Sequence, residues 1–107
     1  MADSLDELRG RFRAEVIDRL GQIEVLLESL PSASDPAMIA DAIRDHAHKL
    51  KGAAGIFGYG EFQQRAGELE EEAAAQTGAA DGATAAGAIS PVFEELTAAR
   101  QESDLAE

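Results

Sequence analysis

The chain of 107 residues contains no cysteine and no tryptophan, and aromatic residues make up only 5% of it. Without cysteine there is no disulfide framework and no thiolate metal site, which fits a reducing compartment. No apolar run approaches the ~20 residues that span a bilayer, and no charged-then-apolar leader opens the chain. We therefore expect a cytoplasmic protein folded as one domain over residues 1–107. Positive charge is also scarce: 9 bases face 21 acids, for a net charge of −12. Such a field repels phosphate backbones and anionic lipid, which argues against nucleic acid and membrane partners.

The few bases are unevenly placed. Arg9, Arg11, Arg13 and Arg19 lie in the first third, whereas Arg44, Lys49, Lys51 and Arg65 gather in sequence around His48. The surface near His48 is expected to be less negative than the rest.

Apolar spacing predicts four helices and no strands. The first, residues 4–30, opens on a capping box formed by Ser4 and Glu7. It buries Leu5, Leu8, Phe12, Val16, Leu20, Ile23, Leu27 and Leu30, spaced by threes and fours. Pro31 and Ser32 end it. The second, residues 36–57, starts with Asp35 as N-cap and Pro36 at the first helical position. It turns Ile39, Ile43, Ala47, Leu50, Ala54 and Phe57 inward, and Gly58 fits a left-handed cap. The third, residues 61–77, buries Phe62, Ala66, Leu69 and Ala73. Residues 78–90, rich in Gly and Ala, read as a mobile connection. The fourth helix carries Ile89, Phe93, Leu96 and Ala99. It begins either at Ser90, with Pro91 in its first turn, or near Thr84 with Pro91 inside. The longer version, residues 84–103, is preferred because it covers more of its partners' apolar surface. The fold class is all-α, an up-down-up-down antiparallel four-helix bundle.

The most informative segment runs from His48 to Gly58. At about 100° per residue, His48, Lys51, Gly52 and Gly55 share one stripe of the second helix, while Leu50 points away from it. An imidazole is displayed outward beside a cation and bare backbone. Glycine inside a helix costs about 0.5–1 kcal/mol relative to alanine, so Gly52 and Gly55 need a reason. They either clear space for a macromolecular partner or let a neighbouring helix approach. A neutral imidazole is a good nucleophile near neutral pH. Phosphoryl transfer depends mainly on positioning and on neutralising oxygen charge; Lys51 one turn away can supply that charge, and Arg44 one turn the other way adds to it. No phosphate-cradling glycine loop is present, so the nucleotide, the Mg²⁺ or both must come from elsewhere. His46 with His48 makes a His-x-His pair, but i and i+2 on a helix diverge too far to chelate one ion. His46 is instead read as a locally hydrogen-bonded imidazole at the core edge, and Lys49 as a solvated lysine or part of a docking rim.

His48-x-x-Lys51-Gly52, with Gly58 ten residues after the histidine, resembles the signature of the histidine phosphotransfer (HPt) domain of two-component phosphorelays. The resemblance implies that His48 is the phosphorylated residue of a phosphoryl carrier rather than an autonomous enzyme. It implies as partners a response-regulator receiver domain and a sensor or hybrid histidine kinase, with Mg²⁺ bound in the receiver and no cofactor or metal held by this chain. The docking face would include Arg44, Lys49, Gly52 and Gly55. The family's third helix offers a polar side chain 22 positions after the histidine, here Glu70, to hold His48 Nδ1. From sequence alone Glu70 is one acid in the run Glu68, Glu70, Glu71, Glu72. Chemotaxis-type members carry a second histidine where this chain has Gly67, so that wider network is expected to be absent. The first expectation is a free-standing relay protein. The rivals are a helical bundle that binds a receiver without transfer, and an excised module of a larger kinase.

Overall fold

The computed structural model describes residues 2–79 and 81–103. Four helices account for nearly all of them: α1 over Ala2–Ser29, α2 over Pro36–Phe57, α3 over Gly60–Ala75 and α4 over Gly82–Gln101. They form the up-down-up-down antiparallel bundle expected from the apolar spacing, with no strand among the described residues. Short 3₁₀ turns at Leu30–Ser32 and Gln76–Gly78 follow α1 and α3.

Helix boundaries follow local chemistry. The Asp35 carboxylate accepts from the Met38 amide at 3.2 Å, and Pro36 loses nothing in the first turn, where its missing N–H has no intrahelical acceptor. At the other end of α2, Gly58 adopts φ +79°, the only positive φ among the described residues. A side chain is disfavoured there, which is why a glycine closes the helix.

The core is lined by Phe12, Val16, Leu20, Ile23, Leu27 and Leu30 of the first segment. Against these pack Ile43 and Leu50 of α2, Phe62 and Leu69 of α3, and Ile89 and Leu96 of α4. Between them the contact positions are alanines: Ala40, Ala47, Ala54, Ala66, Ala73, Ala85 and Ala99. Small residues there let helix axes approach closely. Ile39, Phe57 and Phe93, expected inside, lie half-buried at its edge.

Three expectations are corrected. Ser4 is not an N-cap: α1 already runs from Ala2, and a residue inside the helix cannot occupy the non-helical cap position. Leu5 and Leu8 are not core but 50% and 49% exposed. The reason is length. At ~1.5 Å per residue the 28-residue α1 outruns its neighbours, and every residue from Ser4 to Arg11 is exposed. Among the described side chains the first buried one is Phe12, stacked on Phe57 at 5.2 Å between ring centroids.

The third correction concerns residues 78–90, read as a mobile connection. Residues from Gly82 onward belong to α4. The Asp81 carboxylate caps it, accepting from the Thr84 amide at 2.7 Å and from Thr84 Oγ1 at 3.1 Å, and the alanines that follow are the best helix formers. Gly82 is there for a close approach, since a Cβ would overlap the Leu30 carbonyl oxygen. Pro91 sits inside α4, as in the longer of the two expected versions. The Gly87 carbonyl it leaves without an amide donor lies on an exposed stretch, where water can serve. The helix ends at Gln101 rather than 103, and residues 104–107 lie outside the described residues.

Candidate functional site

The α2–α3 hairpin builds the site. Its turn, Gly58 and Tyr59, is so short that the two helices must lie side by side and antiparallel. Residues equidistant from Tyr59 then face each other. His48 meets Glu70, Lys51 crosses Gly67, and Gly55 faces Gln63; all three pairs are centred on Tyr59.

His48 stands halfway along α2 with its side chain 60% exposed. Its Nδ1 lies 2.9 Å from Glu70 Oε2. The other carboxylate oxygen, Oε1, is 2.7 Å from Lys51 Nζ. One carboxylate, itself only 19% exposed, therefore ties together the imidazole and the ammonium. The Lys51 ammonium holds the Glu70 carboxyl below the usual carboxylate range; the His48 bond pulls the same way and burial opposes it. Glu70 is thus ionised at neutral pH and can only accept. In the neutral ring Nδ1 must carry the proton and donate it to Glu70, which leaves the lone pair on Nε2 pointing away from this pair.

Lys51 passes over Gly67 on its way to Glu70: a Cβ there would stand 3.2 Å from Lys51 Cδ, close enough to make the lysine stem shift slightly. Beside His48, Gly52 borders open space, with nothing within 4 Å of a notional Cβ. One turn further Ile56 is 81% exposed, more than any other large apolar side chain of α2. A ring, a bare backbone and an isoleucine thus succeed one another along α2.

The expected docking residues lie on α2 with Gly52, Gly55 and Lys49 exposed, and the two bases among them are paired within the helix. Arg44 Nε pairs with Asp41 at 2.9 Å and Lys49 Nζ with Asp45 at 3.1 Å. On α3, Arg65 pairs with Glu68 at 3.0 Å. The neighbourhood of His48 is locally neutralised rather than a basic patch. Such exposed intrahelical pairs are weak and screened by solvent, so a docking partner exchanges them at little cost. Gly55 is exposed, yet the space beside it belongs to Gln63, whose Nε2 would lie 2.5 Å from a Cβ at that position. His46 has a long-range partner rather than a local one. Arg19 Nη1 of α1 donates to its Nδ1 at 2.9 Å, which fixes a neutral ring that accepts there. Burial, and then the Arg19 charge, hold the His46 pKa below its ordinary value. The two histidines thus carry opposite tautomers on opposite sides of α2.

Sequence reasoning missed Gly67, Gln63 and Ile56. The first two were within reach: folding the sequence back on itself at Tyr59 sets Lys51 against Gly67 and Gly55 against Gln63.

Among the described residues no group of three His, Asp or Glu side chains could hold a metal, and no helix is long and apolar enough to cross a membrane. The family model of the Hpt domain matches residues 7–104, nearly the whole chain, and the chain belongs to that family. Hpt domains are phosphocarrier modules of two-component phosphorelays rather than enzymes of the ordinary kind. Comparisons with curated proteins and with solved structures give no match.

Proposed function

We propose that this chain relays a phosphoryl group through Nε2 of His48, receiving it from and delivering it to the aspartate of a response-regulator receiver domain or a hybrid kinase. The observation that carries the reading is the engagement of Nδ1 by Glu70, with Nε2 left free on an exposed ring. Residues 1–107 act as one module, working in the cytoplasm beside its partners.

In the forward step the Nε2 lone pair attacks the phosphorus of an aspartyl phosphate held by the receiver. The bond from phosphorus to the carboxylate oxygen breaks, and the aspartate leaves with that electron pair. Positive charge then develops on the imidazole, whose Nδ1 proton points at the ionised Glu70. Glu70 both fixes the tautomer and stabilises the phosphorylated ring. Lys51 has a double use. It cancels the Glu70 charge, so that an anionic phosphoryl group meets a neutral site, and its 39% exposed stem lets the ammonium turn toward the phosphoryl oxygens. Mg²⁺ belongs to the receiver, which supplies the acyl phosphate. Gly52 admits the partner's backbone, Ile56 gives it an apolar anchor, and Arg44 and Lys49 form the rim.

The test is incubation with a phosphorylated receiver. It should leave an acid-labile, alkali-stable label on the chain that is lost in His48→Gln. A label retained in that variant refutes the assignment.

A further inference from the structure

We propose that Gln63 is the residue with which this chain reads its receiver partner apart from the phosphoryl group, and that Gly55 exists to seat it. This rests on the relay reading above.

Four observations lead there. Gln63 projects from α3 across α2, with its amide nitrogen where a Gly55 Cβ would stand. Glycine at that point weakens the helix, while Ala53 and Ala54 beside it show that alanine is acceptable in the same turn. The Gln63 amide has no side-chain hydrogen-bond partner among the described residues, so it is not held there for an internal bond. Lastly, its place on the seam is the third rung after the His48–Glu70 and Lys51–Gly67 pairs.

The location fits a reader. Seven residues of helix separate Gly55 from His48, about 10 Å along the axis. A docking footprint of about 800 Å² per partner has a radius of ~16 Å, so a receiver centred on the imidazole covers Gln63. Phosphoryl chemistry is common to all receivers, and the charged groups around His48 are already paired. Gln63 is different: a primary amide offers two donors and an acceptor without charge. It suits a main-chain amide or a neutral polar side chain beside the receiver's aspartate. A receiver presenting an apolar group there would bury that amide unsatisfied, which is a strong basis for discrimination.

The experiment is a double-mutant cycle with Gly55→Ala and Gln63→Ala, plus Gln63→Met, which keeps length and packing but removes the amide. Transfer kinetics are measured with the receiver that the wild-type chain serves fastest. Each single change should raise KM about tenfold, and far more than it alters kcat. The double variant should be no worse than either single one, because Gly55→Ala acts only by displacing Gln63. Gln63→Met should match Gln63→Ala. The proposal is overturned if Gln63→Met keeps the wild-type KM, if no KM moves, or if the Gly55→Ala penalty persists undiminished without Gln63. Phosphoramidate, which phosphorylates an accessible imidazole without any receiver, separates this from the relay itself. Labelled wild-type His48 with an unmoved KM sinks the Gln63 proposal alone, whereas an unlabelled His48 sinks both.

Discussion

Lys51 crosses α3 directly over Gly67, its Cδ 3.2 Å from where a β-carbon would stand. The bare position on one helix and the long side chain on the other are one device. A larger side chain at the first would stand in the path the second takes to Glu70.

That relationship predicts a size series at Gly67. In Gly67→Ala the flexible lysine stem shifts by a few tenths of an ångström, and the helix gains about 0.5–1 kcal/mol. The melting temperature should rise by about 2–6 °C with Glu70 still paired. In Gly67→Leu the side chain occupies the lysine's path, and phosphotransfer should fall about tenfold, toward the rate of Lys51→Ala. Equal rates in wild type and Gly67→Leu would disconnect the crossing from function.

Lys51 and Glu70 should also prove non-additive. Lys51→Met leaves the Glu70 charge uncancelled beside the incoming phosphoryl group, so transfer should slow about tenfold or more. Adding Glu70→Gln removes that charge and should recover part of the loss. A double variant slower by the full product of the two single effects would show that the residues act separately.

The lowered Glu70 pKa fixes the sign of a pH effect. A carboxyl whose folded pKa lies below its unfolded value of about 4.5 adds stability above that value. The contribution disappears as pH falls through the folded pKa. The urea midpoint of the wild type should exceed that of Glu70→Gln at pH 6, and the gap should close toward pH 3. A gap that widens on acidification contradicts the pairing.

His46 gives a second window, nearer neutrality. Its folded pKa is depressed by burial and by Arg19, with Lys49 acting the same way and Asp45 and Asp18 opposing. The unfolded chain therefore takes up a proton first as pH falls through about 6.5. Stability present above that pH is lost progressively below it. Between pH 7.5 and 5 the wild type should lose more stability than His46→Gln, as followed by urea denaturation at each pH. Parallel profiles would place His46 outside the α1–α2 contact.

Gly82 and Gly87 lie five residues apart in α4 and should respond oppositely to alanine. A Cβ at Gly82 runs into the Leu30 carbonyl, backbone that cannot step aside, and Gly82→Ala should cost about 2 kcal/mol. Gly87 has nothing within 4 Å of its notional Cβ, so Gly87→Ala should stabilise by about 0.5–1 kcal/mol. Chemical denaturation of the two variants measures both.

Much of this molecule was legible before its coordinates, and the failures share a cause. Threes-and-fours spacing located Phe12, Ile43, Leu69 and Ile89 in the core, because burial of a stripe is what an amphipathic pattern encodes. The same pattern was wrong for Leu5 and Leu8, since a stripe says which face is apolar but not whether a partner helix reaches that far. Residues 78–90 read as a mobile connection, with helix preferred only from Thr84 on, because alanine and glycine carry little periodic contrast. The helix in fact starts at Gly82, fixed by the Asp81 cap and by packing under Leu30. At the candidate site, His48, Lys51 and Glu70 were singled out from spacing and family resemblance, but their arrangement was not. Lys51 was expected to face the phosphoryl group, whereas its ammonium rests on Glu70. Only the antiparallel register across Tyr59 shows which residue each glycine serves.

The proposed relay turns on which nitrogen of His48 takes the phosphoryl group. Phosphorus-coupled NMR of the phosphorylated chain reads this directly, since coupling patterns to the ring carbons differ for the two nitrogens. We predict phosphorus on Nε2 of His48, with the Nδ1 proton retained and hydrogen-bonded to Glu70. Phosphorus on Nδ1, or on His46, would contradict it.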